Sequence, residues 1–310
     1  MLKAYAGLVV LGVIWGSNFM FMKWATVYIS PAQTVLLRVL FGFLPLAVFA
    51  WHSKVITRTQ LRHLPHFMVM SVLATSFYYY GFVAGTAVLP SSIAGLLSGS
   101  IPIFTFLGTL LFLPEERPSR RMACGVALCF VGIVLAARPW QGSDGVSGIG
   151  VVWMLSGSMS VGASFVYARR YLSPLQLPPL ALATWQTFLA VVTLALLVSF
   201  EGIGAIADDS KALWGTVLGL GLLGTGAAYI LYYFTIDKLG SVRAAGATYI
   251  APIVAVVIAA FIGEEITILE IVALVLITAG VVMIQLSKKK QAAITPTKKE
   301  ATKKEAKVAL

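Results

Sequence analysis

The chain has 310 residues, 59% of them hydrophobic and only 11% charged, with a mean hydropathy of +0.90. A soluble globular protein carries about a quarter charged residues, so this composition excludes a soluble enzyme and describes an integral membrane protein. The net charge of +11 would suggest nucleic acid if it lay on one folded surface, but Lys288 to Leu310 alone hold eight Lys and two Glu, which is +6 of it.

A spanning helix needs roughly 20 mostly apolar residues. Ten stretches meet or approach that length, at 4–25, 32–51, 67–88, 91–113, 122–137, 147–168, 178–200, 212–236, 242–262 and 268–287. The first is too long for a secretory signal and leads into no small-residue cleavage site. Pro90 divides the third from the fourth, because the residue before a proline is pushed out of the helical region. Cys124 and Cys129 fall within one span and read as packing residues. The run Ile271–Ile277 shows no apolar–polar alternation, which argues against a β-barrel.

The connections are short. The longest, 52–66, holds all three His, at 52, 63 and 66. Neither it nor the tail can bury a core, so a soluble catalytic or nucleic-acid domain is excluded. The tail, 288–310, reads as a disordered basic flank lying near anionic lipid. With the N-terminus inside, the inner segments hold 14 Lys and Arg: Lys3, Lys54, Arg58, Arg62, Arg117, Arg120, Arg121, Arg169, Arg170, Lys238, Arg243 and Lys288 to Lys290. The outer ends hold Lys23, Arg138 and Lys211. The positive-inside rule then predicts that both termini are cytoplasmic, which requires an even number of spans.

The chain also repeats itself. Gly16-Ser17-Asn18-Phe19 through Lys23 aligns with Gly162-Ala163-Ser164-Phe165 through Arg169, at an offset of 146. Pro102 aligns with Pro252, Glu116 with Glu265 and Gly132 with Gly280, at offsets of 150, 149 and 148. Each unit holds five spans. Since five is odd, the second copy enters the membrane from the other side. Arg117, Arg120 and Arg121 follow Glu116, whereas no base follows Glu265 before Ile268, as opposite sidedness requires. Inverted repeats of this kind place a substrate site near the bilayer midplane, between the halves.

Trp15-Gly16-Ser17-Asn18-Phe19, Arg38 seven residues after Pro31, and Gly263-Glu264-Glu265 before a last Gly-containing span carry a resemblance. With the ten-span duplication they resemble the drug/metabolite transporter (DMT) superfamily, in its EamA-type (RhaT-like) branch. The resemblance covers about 1–287. It implies an all-α integral membrane fold of ten transmembrane helices, arranged as two inverted five-helix repeats at 1–140 and 147–287. It also implies export or exchange of small metabolites, often amino acids or their derivatives, across a bacterial inner membrane. The bilayer and a small-molecule substrate are the implied partners; no cofactor, metal or nucleic acid is called for, and monomer and homodimer both stay open. One departure is that Trp185-Gln186 stands where the second repeat would place a match to Arg38.

Pro102 and Pro252 fall near the middle of their spans, where proline removes a backbone hydrogen bond. Matched interruptions of this kind point to a transport site or gate, against the alternative of ordinary tolerated kinks. Arg38 is the one clearly intramembrane cation, and it must face protein or a wet cavity. Its guanidinium suits a carboxylate, through two parallel hydrogen bonds; a structural or snorkelling role is the alternative. Trp15 and Asn18 share a helix face that must point inward, because Asn cannot comfortably face lipid. Tyr79, Trp185 and Tyr232 are candidates for cavity walls, and Ser98 for a polar contact. The spelling Gly219-Leu220-Gly221-Leu222-Leu223-Gly224 matches a dinucleotide-binding fingerprint but follows no strand, so it is rejected.

No carboxylate maps to a midplane: Glu115, Glu116, Asp237, Glu264, Glu265 and Glu270 all fall in loops or at span ends. The sequence therefore offers no central proton relay. An intramembrane protease lacks its buried His or Asp pair, and an ATP-driven pump lacks its phosphate-binding loop. A secondary transporter working by alternating access is the expectation. Carriers of organic cations, sugars or nucleotides on the same fold, and a non-transporting receptor or scaffold, are the alternatives.

Overall fold

The computed structural model describes residues 2–113, 119–239 and 246–294. Glu115, Glu116, Arg117, Arg243 and the tail from 295 lie outside the described residues, as do the side chains of Tyr233, Asp237 and Lys288 to Lys290. Among the described residues there is no strand. Nine helices of the described residues are long and apolar enough to cross a membrane: α1 (Lys3–Ala25), α2 (Pro31–His52), α3 (Arg58–Val88), α4 (Ser91–Phe112), α5 (Arg120–Gln141), α6 (Gly148–Leu175), α7 (Pro179–Leu197), α8 (Ser210–Ile236) and α10 (Ile268–Ser287). A tenth apolar helix, α9 (Ala247–Phe261), is shorter.

Local chemistry sets the ends. Ser30 accepts from the Gln33 amide nitrogen while Gln33 Oε1 accepts from the Ser30 amide, a reciprocal cap that starts α2 with Pro31 in its first turn. The same Gln33 donates to the carbonyls of Ser199 and Glu201, tying α2 to the α7–α8 connection. Helix α3 starts nine residues earlier than its apolar run at 67–88. Gln60 Oε1 accepts from the Thr57 amide, the Gln60 amide donates to the Thr57 carbonyl, and Arg58–His63 form a 3-10 turn that leads into Leu64. A polar sequence can therefore be helical here because its capping is local, which hydropathy does not register.

Several spans are not uniform α-helices. Helix α4 passes through a 3-10 turn at Ser98–Ser100 and restarts at Ile101. Wider, π-type turns occupy Val72–Ser76 of α3 and Gly215–Ala227 of α8. Helices α3 and α8 hold corresponding places in the two repeats, whereas a third π-type turn, Ala168–Leu172 of α6, has no counterpart in α1; such turns are frequent at functional sites.

The duplication is visible in contacts. A Cβ on Gly16 of α1 would lie 2.5 Å from Val254 Cβ of α9, and one on Gly162 of α6 would lie 2.9 Å from Phe104 Cβ of α4. Gly132 of α5 approaches the Ala273 carbonyl and Ile277 of α10, and Gly280 of α10 approaches the Gly125 carbonyl and Cys129 of α5. The second member of each pair is the first shifted by the repeat. Small residues let backbones meet where apolar solvent supplies no hydrophobic drive. The repeats interlock, with α1 on α8 and α9, α2 on α7 and α8, and α3 on α6.

Side-chain bonds mark the two ends of the bundle. At one end Lys23 Nζ donates to the Leu89 carbonyl at 2.7 Å, and the Glu264 carboxylate accepts from the Ser91 and Ser92 amides at 2.9 and 3.2 Å. At the other, basic end, His66 Nδ1 lies 2.8 Å from Tyr167 Oη, and Ser119 and Ser287 hydroxyls are hydrogen bonded.

Candidate functional site

Arg38 lies in the body of α2 and is 4% exposed. Its position follows from the glycines of α8. A Cβ on Gly221 would meet Phe41 Cβ at 2.6 Å, and one on Gly42 would meet Thr225 at 2.6 Å, so α2 and α8 can approach only because both residues lack side chains. That approach brings Thr225 Oγ1 to 3.2 Å from Arg38 Nε, where it accepts a hydrogen bond. Thr225 in turn donates to the Leu220 carbonyl at 3.0 Å, five residues back within the π segment.

Three further groups surround the guanidinium. The Tyr79 ring of α3 lies beneath it, with Cζ 3.8 Å from the centroid. Met22 Sδ of α1 is 3.8 Å from Nη1. Asn18, one turn earlier on α1, completes the set. With its amide oriented by its neighbours, the oxygen accepts from Arg38 Nη2 at 3.2 Å and the nitrogen donates to the Ile14 carbonyl at 3.1 Å. Four helices, α1, α2, α3 and α8, thus converge on one cation.

Among the described residues no carboxylate lies within ion-pair distance of Arg38; the ion pair there is Arg138–Glu270, at 2.7 Å. A buried charge of this kind costs several kcal/mol, at least about 2.5 at a helix centre. The ring contact returns about 2 kcal/mol when desolvated, and neutral oxygens and a sulfur meet the guanidinium nitrogens. None of these partners carries negative charge. The guanidinium fork remains matched to a carboxylate.

The other sequence candidates distribute as follows. Trp15 faces Tyr232 of α8, ring centroids 5.7 Å apart, in a cluster with Leu11 and Ala228, one turn along α1 from Asn18. Ser98 donates to the Gly95 carbonyl at 2.6 Å within the turn that divides α4. Pro102 stands in the first turn of the restarted α4, and no residue of Ile101–Phe112 is buried. Its counterpart Pro252 is buried inside α9. The two prolines thus occupy different environments, one half-exposed and one packed.

Trp185 sits apart from Arg38. It stacks on Phe67 at 6.0 Å and 5°, and its Nε1 donates to Gln60 Oε1 at 2.9 Å near the basic end. Its neighbour Gln186 is the buried one, 3.4 Å from Tyr229 Oη. Sequence reasoning missed Thr225 and Met22. The run of glycines from 219 to 226 was the available signal for Thr225, because it marks where another helix comes close. Glu270 stands at a span end, in the first turn of α10, as the sequence places it, but it is enclosed there. It is 3% exposed and paired with Arg138, since α5 and α10 pack along their whole length and enclose it.

Comparison with known proteins agrees with this architecture. A family model, the EamA-like transporter family, matches twice, over residues 2–138 and 148–286. The chain is 23% identical over 292 residues to the transporter YoaV of Bacillus subtilis (strain 168), covering 91% of this chain and 97% of the relative. It is also 23% identical over 276 residues to a probable amino-acid metabolite efflux pump of Salmonella typhimurium, covering 86% of this chain and 90% of that protein. A solved crystal structure superposes with a TM-score of 0.60 at 18% identity, over 93% of this chain and 99% of the other, a likeness of fold. Ten apolar helices among the described residues, symmetric inter-repeat contacts and two consecutive matches to one family model have a single reading: the chain belongs to the EamA-like transporter family.

Proposed function

We propose that the protein is a secondary transporter that exports or exchanges small carboxylate-bearing metabolites, such as amino acids or their derivatives. Its two repeats rock around a central site, and Arg38 is the anchor for the substrate carboxylate. The observation that carries the reading is a buried guanidinium gathered by four helices and lacking any acidic partner among the described residues. A substrate carboxylate would replace neutral contacts with charged ones, each worth about 1.5–3 kcal/mol. An organic cation would meet repulsion at the same place. The relative named as an amino-acid metabolite efflux pump supports this substrate class.

The test is counterflow in proteoliposomes. Amino acids and organic acids should exchange above empty-liposome rates, and Arg38→Ala should lower that exchange at least about tenfold, as loss of one charged hydrogen bond requires. Arg38→Lys should restore part of it, having charge without the fork. If Arg38→Ala, folded and inserted normally, exchanges carboxylates at the wild-type rate, Arg38 is structural and the substrate reading fails.

A further inference from the structure

A groove at the basic end lies between the α2–α3 connection and the α6–α7 connection, away from Arg38. Its polar wall is Lys54, Thr57, Thr59, Arg62 and His63, and Leu177 and Pro178 close the other side. No Asp or Glu lines it. We propose that this groove binds the phosphate headgroup of an anionic phospholipid.

The wall is built, not loose. Buried Gln60 accepts from the Thr57 amide at 3.2 Å and from Trp185 Nε1 at 2.9 Å, and it donates to the Val55 carbonyl at 2.8 Å. The loop is therefore fastened to its own backbone and to α7. Lys54 adopts a left-handed backbone, φ 51°, because it ends α2: its amide donates to the Trp51 carbonyl at 3.0 Å and the Val55 amide to the Ala50 carbonyl at 3.3 Å, which fixes the start of the loop. His63 Nε2 accepts from Arg62 Nε at 2.9 Å, which fixes the plane of the guanidinium. The Lys54 ammonium and the terminal Arg62 nitrogens have no hydrogen-bond partner among the described residues. Thr57 and Thr59 hydroxyls share a hydrogen bond at 2.9 Å, which leaves one hydroxyl hydrogen as a neutral donor. Cations together with hydroxyls and no acid are the chemistry of a phosphate site.

Depth in the membrane selects a lipid over a soluble anion. Trp51, three residues before Lys54, is 82% exposed at the end of α2, where an indole marks the headgroup level. Ile56 of the α2–α3 connection and Leu61 in the first turns of α3 are exposed and offer apolar surface to acyl chains. Basic pockets between helix ends recur as headgroup sites.

The experiment is a thermal-shift titration of delipidated, detergent-purified protein with phosphatidylglycerol, phosphatidylcholine or inorganic phosphate. Phosphatidylglycerol should raise the melting temperature, by mass action, and phosphatidylcholine should not. The Lys54→Gln/Arg62→Gln protein should bind phosphatidylglycerol about tenfold more weakly or worse. Arg120→Gln/Arg121→Gln, at the same end but outside the groove, should bind it as wild type does. Equal shifts with both lipids overturn the proposal on wild-type protein alone, whether or not the variants fold. Equal protection by inorganic phosphate would assign the groove to a soluble anion instead. Equal weakening by both double variants would reduce the effect to general surface charge.

Discussion

At the scale of single residues, the centre of the molecule is one cation held by neutral groups. Tyr79 contributes through its ring face, not its hydroxyl, because Arg38 Cζ lies 3.8 Å over the centroid. Tyr79→Phe keeps that face and should leave substrate exchange close to wild type. Tyr79→Leu removes it and should weaken apparent substrate affinity by about tenfold or more, in line with a desolvated cation–π contact of about 2 kcal/mol; comparing half-saturation constants of the two variants checks this. Arg38 was legible from sequence because charge inside an apolar run is conspicuous. Asn18 was legible for the same reason. Thr225 and Met22 were not, since a threonine or methionine in a span has many uses and only the approach of α8 decides which applies. Trp185 shows the converse. With Gln186 it stands at the repeat position of Arg38, yet its ring, with one donor, bonds Gln60 and packs toward the basic end.

At the scale of elements, the helices are set by capping and small residues more than by hydropathy alone. The ten spans could be read from length and composition, and their ends could not. Helix α3 begins at Arg58 because Gln60 satisfies the Thr57 amide and carbonyl. The pair α5 and α10 shows what periodicity leaves out. Arg138 and Glu270 read from sequence only as residues at span ends, with no sign that they pair; the approach of Gly132 to Ala273 and of Gly280 to Gly125 draws these helices together, and the two side chains are 11% and 3% exposed. Arg138 Nη2 donates to Glu270 Oε1 and to Thr267 Oγ1, while Arg138 Nε and Glu270 Oε2 find no partner among the described residues. A buried pair left partly unsatisfied adds little net stability, yet breaking it strands a charge. Arg138→Met alone should therefore cost about 3 kcal/mol, whereas Arg138→Met with Glu270→Leu should recover most of that loss. Thermal denaturation of the three proteins in one detergent measures it.

At the scale of the whole molecule, the repeats are not two bodies joined by a linker. Helix α1 of the first packs on α8 and α9 of the second, α2 on α7 and α8, and α3 on α6. Offsets of 146 to 150 residues showed in the sequence that the halves correspond; they did not show that the halves are threaded through each other, because contacts between repeats leave no periodic trace. The interlocking has a genetic consequence. A gene cut between Val146 and Ser147 would encode two fragments, each with its partner surfaces bare. Expressed together, the fragments should find each other in the bilayer and co-purify through a tag on either one. Expressed singly, each should be cleared by membrane proteolysis, and recovery of a stable lone fragment would show that the halves fold independently. The ancestral half-length protein of such a duplication could have met the same need only by pairing with another copy of itself in the opposite orientation.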